Sequence, residues 1–385
     1  ISSNCREASR TSDTFYASIT NIMEKRVYNF SAGPAVLPVP VLERIRDEML
    51  CLPGCGASVM EISHRSKQFM AIQEAAKQRI IRLLGIPDSY DVLFLQGGSR
   101  LQFSMIPMNL LRGQAGPAQY VLTGSWGKYA LAEAKKEGAT EVIFDAAATN
   151  YDRLPGAGEL KVRSDAAYVH ITSNETIQGV QFPQDLDLPA PVVCDSSSDI
   201  FYRPLDITKY GLLYACAQKN AGPAGVTVVV IRKDLLERSN DQLPGYLNFK
   251  NHSKEDSMWN TPPTFAVYAL GLVTEWLEST VGGLDAMYEI NKKKAALVYD
   301  VVDQFPTLFT GHAKKSDRSL MNVTFKLPND EIESAFLKQA QSHSLDSLKG
   351  HRSVGGIRAS LYNAMPMEGA QALASFMSDF AKKNG

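Results

Sequence analysis

The chain has 385 residues, of which 44% are hydrophobic, and its formal net charge is −1. This length supports two domains with a sizeable core, and the balanced charge excludes a global attraction for nucleic acid or an anionic membrane. The five scattered cysteines (Cys5, Cys51, Cys55, Cys194, Cys216) argue against a disulfide framework or a metal site and for a reducing, cytoplasmic setting, and no apolar run is long enough to span a membrane.

Residues 1–22 are polar and lack an apolar stretch, so they are no secretory signal. They are expected to be a mobile extension, and Met23-Glu24-Lys25-Arg26 reads as a natural start. A proline-rich stretch runs from Pro34 to Pro40, and a short helix follows from Val41. Phe69, Ile72, Ala76, Ile80, Leu83 and Leu84 share one helical face, which Gly85-Ile86-Pro87 stops. Val92–Leu95 reads as a buried strand, Gly97-Gly98-Ser99-Arg100 as a turn, and Leu101–Leu111 as a helix. The alternation continues with strands at Tyr120–Leu122, Val142–Phe144, Ala167–Ile171, Val192–Cys194, Leu212–Cys216 and Val226–Ile231, and a helix at Lys128–Lys136. Helices follow at Thr264–Leu277 and Asp285–Val302, separated by Gly282-Gly283. Ser319–Leu327 and Ser353–Leu361 read as strands, each followed by a helix, Glu331–Gln341 and Met367–Lys382.

Alternating strands and helices predict an α/β fold with a mostly parallel, doubly wound sheet and a small C-terminal α+β unit. The expected division is an arm over 23–40 that belongs with the small domain, a large domain over 41–282 and a small domain over 283–385. Right-handed crossovers place the strand C-terminal ends along one edge, where ligands bind in such sheets. The segments at that edge are Gly97–Arg100, Thr123–Trp126, Thr172–Thr176, Asp195–Ser198 and Gln218-Lys219.

Lys219 is the most informative of these, a charge between two apolar strands and before the turn Asn-Ala-Gly-Pro-Ala-Gly. Desolvation lowers a lysine's pKa and frees its amine as a nucleophile, which suits Schiff-base formation with an aldehyde cofactor. Alone, Lys219 also reads as a surface lysine in a strand connection. Asp195 ends another buried strand, where a carboxylate needs a partner such as a protonated pyridine nitrogen; alone, it also reads as a helix N-cap. The pair together points to pyridoxal 5′-phosphate. Gly97–Arg100 opens a helix and offers backbone N–H groups to a phosphate. The indole of Trp126 can stack on a flat ring or simply fill core. His64-Arg65 and His351-Arg352, with Arg358 nearby, are compact cations suited to a doubly anionic substrate, although each alone reads as solvated surface charge.

Six ordered motifs then match one family: Asn-Phe-Ser-Ala-Gly-Pro (29–34), Val-Met-Glu-Ile-Ser-His-Arg (59–65), Asn-Glu-Thr-Ile-Gln-Gly (174–179), Ala-Gln-Lys-Asn-Ala-Gly-Pro-Ala-Gly (217–225), Asn-Thr-Pro-Pro-Thr-Phe (260–265) and the run 348–366. From Tyr28 to Gly385 the chain resembles the phosphoserine aminotransferases, pyridoxal-phosphate-dependent transaminases of fold type I. The resemblance implies that Lys219 is the Schiff-base lysine and proton shuttle, that Asp195 holds the ring nitrogen, that Trp126 stacks on the ring and that Thr176 bonds its hydroxyl side. It assigns Ser99, Arg100 and Gln218 to the cofactor phosphate, with Asn260 and Thr261 reaching it from the second subunit of a homodimer. Arg358 takes the substrate α-carboxylate. His351 and Arg352, with His64 and Arg65 of the other subunit, take the distal anion. The implied substrates are L-glutamate and 3-phosphohydroxypyruvate, in serine biosynthesis, and relatives also act on a phosphorylated hydroxythreonine in pyridoxine biosynthesis.

The chain departs from the family at three places. Ser99 stands where Gly or Ala is usual, Tyr202 where Ser is common, and Ala221 in place of a larger apolar residue. Other readings are weaker. A cysteine desulfurase needs a Cys in the C-terminal half, and the last one is Cys216. A nicotinamide dehydrogenase needs the G-x-G-x-x-G turn, which is absent. A binder without turnover would be expected to lack Lys219 or Asp195.

Overall fold

The computed structural model describes residues 26–384; the expectation of a mobile extension over 1–22 lies outside them. Seven strands form the central sheet: β1 (Tyr90–Leu95), β2 (Ala118–Leu122), β3 (Thr140–Asp145), β4 (Tyr168–Thr172), β5 (Val192–Asp195), β6 (Tyr210–Cys216) and β7 (Thr227–Arg232). Their order is β1-β7-β6-β5-β4-β2-β3. Neighbours from β6 through β3 pair parallel, while β7 runs antiparallel to both β1 and β6. Six strands therefore point one way and β7 alone returns.

Helices cover both faces, so the inner strands are buried along nearly their whole length rather than on alternate residues. Along β7, Val228 and Val230 enter one core with Phe69, Ile80 and Leu270. Val229 and Ile231 enter the opposite core with Phe103, Ile106 and Leu131. The covering helices are α1 (Val39–Glu48), α2 (Lys67–Leu84), α3 (Gly98–Leu110), α4 (Ser125–Ala134) and α5 (Thr264–Trp276). Helix α2 starts where the Ser66 hydroxyl accepts from Phe69 N–H, and ends at Gly85 in the left-handed conformation. Its buried stripe of Phe69, Ala76, Ile80 and Leu84 packs on α5 and the sheet, each large side chain contributing about 1.5–3 kcal/mol.

Helix α5 runs into a π-helical turn (Leu277–Val281) and then Gly282 and Gly283, before the long α6 (Leu284–Gln304). Beyond it, β8 (Thr310–Gly311), β9 (Asn322–Lys326) and β10 (Ile357–Ser360) make a three-stranded antiparallel sheet backed by α7 (Asp330–Ser342) and α8 (Met367–Asn384). Phe325, Phe336, Phe376 and Phe380 interlock edge to face in its core. The strand expected over 353–361 is shorter, because Gly355 and Gly356 adopt positive φ (72° and 69°) and close a turn ahead of β10.

The N-terminal arm crosses this unit and reaches the large sheet. Tyr28–Asn29 pairs in parallel with Leu345–Asp346. Ala35 N–H donates to the Gln218 carbonyl at 2.9 Å, and the Tyr362 hydroxyl donates to the Ala32 carbonyl at 2.8 Å. Gly33, at φ 141°, lies so close to Lys219 that a Cβ there would stand 3.3 Å from the lysine Cγ.

Candidate active site

The C-terminal ends of β1, β2, β4, β5 and β6 share one edge of the sheet, as the chain order predicts. Because β7 is antiparallel and Thr227 pairs with Cys216, the connection 217–226 never leaves that edge. Lys219 is thereby held beside Asp195 instead of being carried over a helix.

At the end of β1, Gly97 adopts φ 84°, and a Cβ there would collide with Leu101 at 2.6 Å. The turn leads into α3, which has no side-chain cap, so its first N–H groups face the edge as an anion seat. Arg100 is exposed and lays its guanidinium over Tyr129 (4.0 Å) and Trp126 (5.7 Å).

Trp126 is held at three points, one through its indole and two through backbone. Its Nε1 donates to Thr176 Oγ1 at 3.1 Å. Its backbone N–H and that of Gly127, at the N-terminus of α4, each donate to the Glu175 carboxylate at 3.1 Å. Glu175 has no exposed surface. Burial pushes its pKa up to about 7, with Asp195 adding to the rise and the two N–H bonds and Lys219 opposing it. Glu175 lies inside a motif that the sequence singles out, yet its anchoring role was missed, since the helix it serves starts 50 residues earlier.

Asp195 is buried, and its Oδ1 accepts from Ser197 N–H (3.0 Å) and Ser197 Oγ (2.5 Å). Among the described residues, no donor engages Oδ2. Burial raises the Asp195 pKa, while Lys219 and the Ser197 bonds draw it down. The Lys219 ammonium stands 5.3 Å from the Trp126 ring centre. The expectation that desolvation frees this amine is corrected: burial does lower the pKa, but the summed pull of Cys216, Tyr362, Asp195 and Glu175 leaves it raised. Tyr362, fully buried beside Lys219 and Arg358, is a further site residue that sequence reasoning missed.

Arg358, on β10, is half-buried and donates to the Thr176 carbonyl at 3.3 Å. Burial lowers its pKa, a cost normally offset by a carboxylate. Among the described residues it meets none, whereas Arg79, Arg153, Arg163, Arg203 and Arg318 are all paired. His351 lies in the same field, its pKa lowered by burial and then by Arg358 and Arg352. The strand end thus carries a concentrated positive charge without a counter-charge. His64 and Arg65 sit in the loop ahead of α2 and make no ion pair or side-chain hydrogen bond to the Lys219 cluster. Asn260 donates to Gln96 Oε1 at 2.8 Å, one residue before the glycine turn, and Thr261 is exposed. Gln218 follows β6, its carbonyl taken by the arm.

The chain matches the family described as Aminotransferase class-V over residues 27–373. It is 59% identical to a phosphoserine aminotransferase of Rhodopirellula baltica over 362 residues, 94% of this chain and 96% of the relative. The solved phosphoserine aminotransferase of Bacillus circulans subsp. alkalophilus superposes with a TM-score of 0.91 at 46% identity, covering 94% of this chain and 99% of that one. A solved structure from Trichomonas vaginalis, described as PLP bound phosphoserine aminotransferase, gives a TM-score of 0.87 at 41% identity, covering 91% and 99%. The sheet-edge lysine and the uncompensated cations thus occur in a chain that belongs to the class-V aminotransferase family, among its phosphoserine aminotransferases.

Proposed function

We propose that the chain is a pyridoxal-5′-phosphate-dependent transaminase that exchanges an amino group between L-glutamate and 3-phosphohydroxypyruvate, giving 2-oxoglutarate and O-phospho-L-serine for serine biosynthesis. The observation that carries this reading is the uncompensated positive charge of Arg358 and Arg352, with His351 in their field, tied through Thr176 to the indole that covers Lys219. The residues fit the cofactor. Asp195 has one oxygen fastened and one free for a ring N–H, Trp126 offers a fixed face, and α3 with Ser99, Arg100 and Gln218 offers donors to a phosphate. Thr176, whose carbonyl and hydroxyl already accept from Arg358 and Trp126, would border the ring's hydroxyl side.

When bound, the cofactor supplies an electron sink for the pair left at the substrate Cα. The protein supplies the rest. Lys219 Nζ takes the proton from the substrate Cα and later returns one, as base and then acid. Arg358 takes the α-carboxylate in bidentate fashion, which fixes the Cα–H bond relative to Lys219. His351 and Arg352 take the distal γ-carboxylate or phosphate, because movable donors accept either anion.

The chain divides, in this reading, near Gly282 into a large cofactor-binding domain and a small domain that the arm over 23–40 joins. It works in the cytoplasm as a homodimer with shared sites, His64, Arg65, Asn260 and Thr261 reaching the partner's cofactor and substrate. Leu50 (88% exposed), Met60 (64%) and Trp259 (46%) support this, since they lie in the same segments as those four polar residues. A substrate panel tests the reading. O-phosphoserine with 2-oxoglutarate should react at least a hundredfold faster than serine or alanine, and equal rates would remove the argument from the cations. The same panel, with a phosphorylated hydroxythreonine added, decides whether the pyridoxine-pathway activity accompanies it. Mixing Lys219→Ala with Arg65→Ala subunits should restore part of the activity if sites are shared.

A further inference from the structure

We propose that the Ser99 hydroxyl serves the ring-nitrogen end of the site and not the phosphate end. It is the outer member of a relay, Ser99 to Ser197 to Asp195, that holds the Asp195 carboxylate ionised and aimed. The inference rests on the pyridoxal phosphate reading above. It concerns a hydroxyl that a Gly or Ala at this place could not supply.

The geometry allows the protons to be placed. Ser99 Oγ and Ser197 Oγ lie 2.6 Å apart. Ser197 Oγ lies 2.5 Å from Asp195 Oδ1 and accepts the Cys216 N–H at 3.2 Å. A carboxylate oxygen can only accept, so the single Ser197 proton goes to Asp195. The Cys216 N–H fills one acceptor position on Ser197 Oγ. Ser99 is left to donate into the other, which turns its only proton away from the glycine turn. Its contribution to a phosphate is then its backbone N–H alone.

The direction of the chain determines its effect. A hydroxyl that accepts two donors becomes a stronger donor itself. Ser99 thereby strengthens the Ser197 bond to Asp195 and favours the charged carboxylate against the burial that disfavours it. The Ser197 N–H on the same oxygen fixes the carboxylate plane, leaving Oδ2 free for a ring nitrogen. Ser99 is a positioning residue: it acts on the ring through Ser197 and Asp195.

The test uses the full-length protein freed of cofactor, with two probes that split the cofactor in half: pyridoxal, which has the ring without the phosphate, and inorganic phosphate. Ser99→Ala should weaken pyridoxal about fivefold, the weight of one hydrogen bond, and leave inorganic phosphate within about twofold of wild type. Ser99→Gly, a second hydroxyl deletion, should behave alike, and Ser99→Thr should restore pyridoxal affinity. In a Ser197→Ala background, Ser99→Ala should have no further effect, because the link is already cut. A loss confined to phosphate, a loss shared equally by both probes, or an effect that persists without Ser197 overturns the relay. Failure of the wild type to bind pyridoxal at all would instead overturn the cofactor reading, and the relay with it.

Discussion

Glu175 makes the buried electrostatics measurable. Its carboxyl has no exposed surface, and burial moves its pKa from the usual 4.5 to about 7. The folded state therefore binds this proton more tightly than the unfolded chain does. Its stabilising contribution is fully present below about pH 4.5 and is lost as the pH rises through 7. At about 1.4 kcal/mol for each pH unit between the two values, the contribution is about 3 kcal/mol. Glu175→Gln removes the titration. It also turns an amide NH₂ toward the N–H of Trp126 or Gly127, a fixed penalty of about 1–3 kcal/mol that does not vary with pH. The assay is urea unfolding of the cofactor-stripped protein and the variant between pH 5 and 8. The stability of wild type minus variant should fall by about 2–3 kcal/mol across that range. Taking the difference removes other groups that titrate in the window, such as His351 and Lys294. A difference that stays constant to within about 0.5 kcal/mol would mean that Glu175 is ionised throughout, and the account of its burial would be wrong.

Three further outcomes are expected. Arg358→Ala should lower kcat/KM for the amino-acid substrates by roughly 10–100-fold, the weight of a charge-assisted hydrogen bond, while the cofactor content measured by absorbance stays near wild type; unchanged kinetics would remove Arg358 from carboxylate binding. Lys294, fully buried on α6, donates to the carbonyls of Leu361, Tyr362, Asn363 and Met365; Lys294→Ala should destabilise by about 3–5 kcal/mol and lower Tm by about 5 °C, and a Tm within 2 °C of wild type would contradict that clamp. Gly124→Ala would put a methyl 2.5 Å from the Glu175 carboxyl carbon, so it should cost about 1–3 kcal/mol of stability and weaken cofactor binding measured by titration, whereas full affinity would show that the Trp126 anchor tolerates displacement.

Much of the large sheet is legible in the chain because each of its strands is a short apolar run closed by turn residues. Strand direction is another matter. Val226–Ile231 looks like any buried parallel strand, since apolar content records burial on two faces and says nothing of polarity along the axis. That β7 is antiparallel follows from the short connection 217–226, which leaves no room for a crossover helix. Lys219, Asp195, Trp126 and Thr176 could be nominated because strand ends are local signals. Glu175 and Ser197 could not. Their roles depend on α4 and on β6, elements that the local sequence does not mention. The pKa of Lys219 failed for the same reason: burial is a local inference, and of the groups that oppose it only the first, Cys216, is near in sequence, while Tyr362, Asp195 and Glu175 are brought in by the fold.

The arm has a consequence for the order in which the protein is made. The Ala32 carbonyl leaves the ribosome 330 residues before the Tyr362 hydroxyl that it accepts from. At about 5–20 residues per second, that interval is roughly 15–65 s. During it the large sheet can pair and bring Lys219 next to Asp195, yet Leu345, Asp346 and Tyr362 do not exist to hold the arm. The lysine is thus installed well before its cover. Among the described residues, the arm strand left unpaired in a nascent chain is two residues long, Tyr28 and Asn29, a short template for a neighbouring chain on the same messenger.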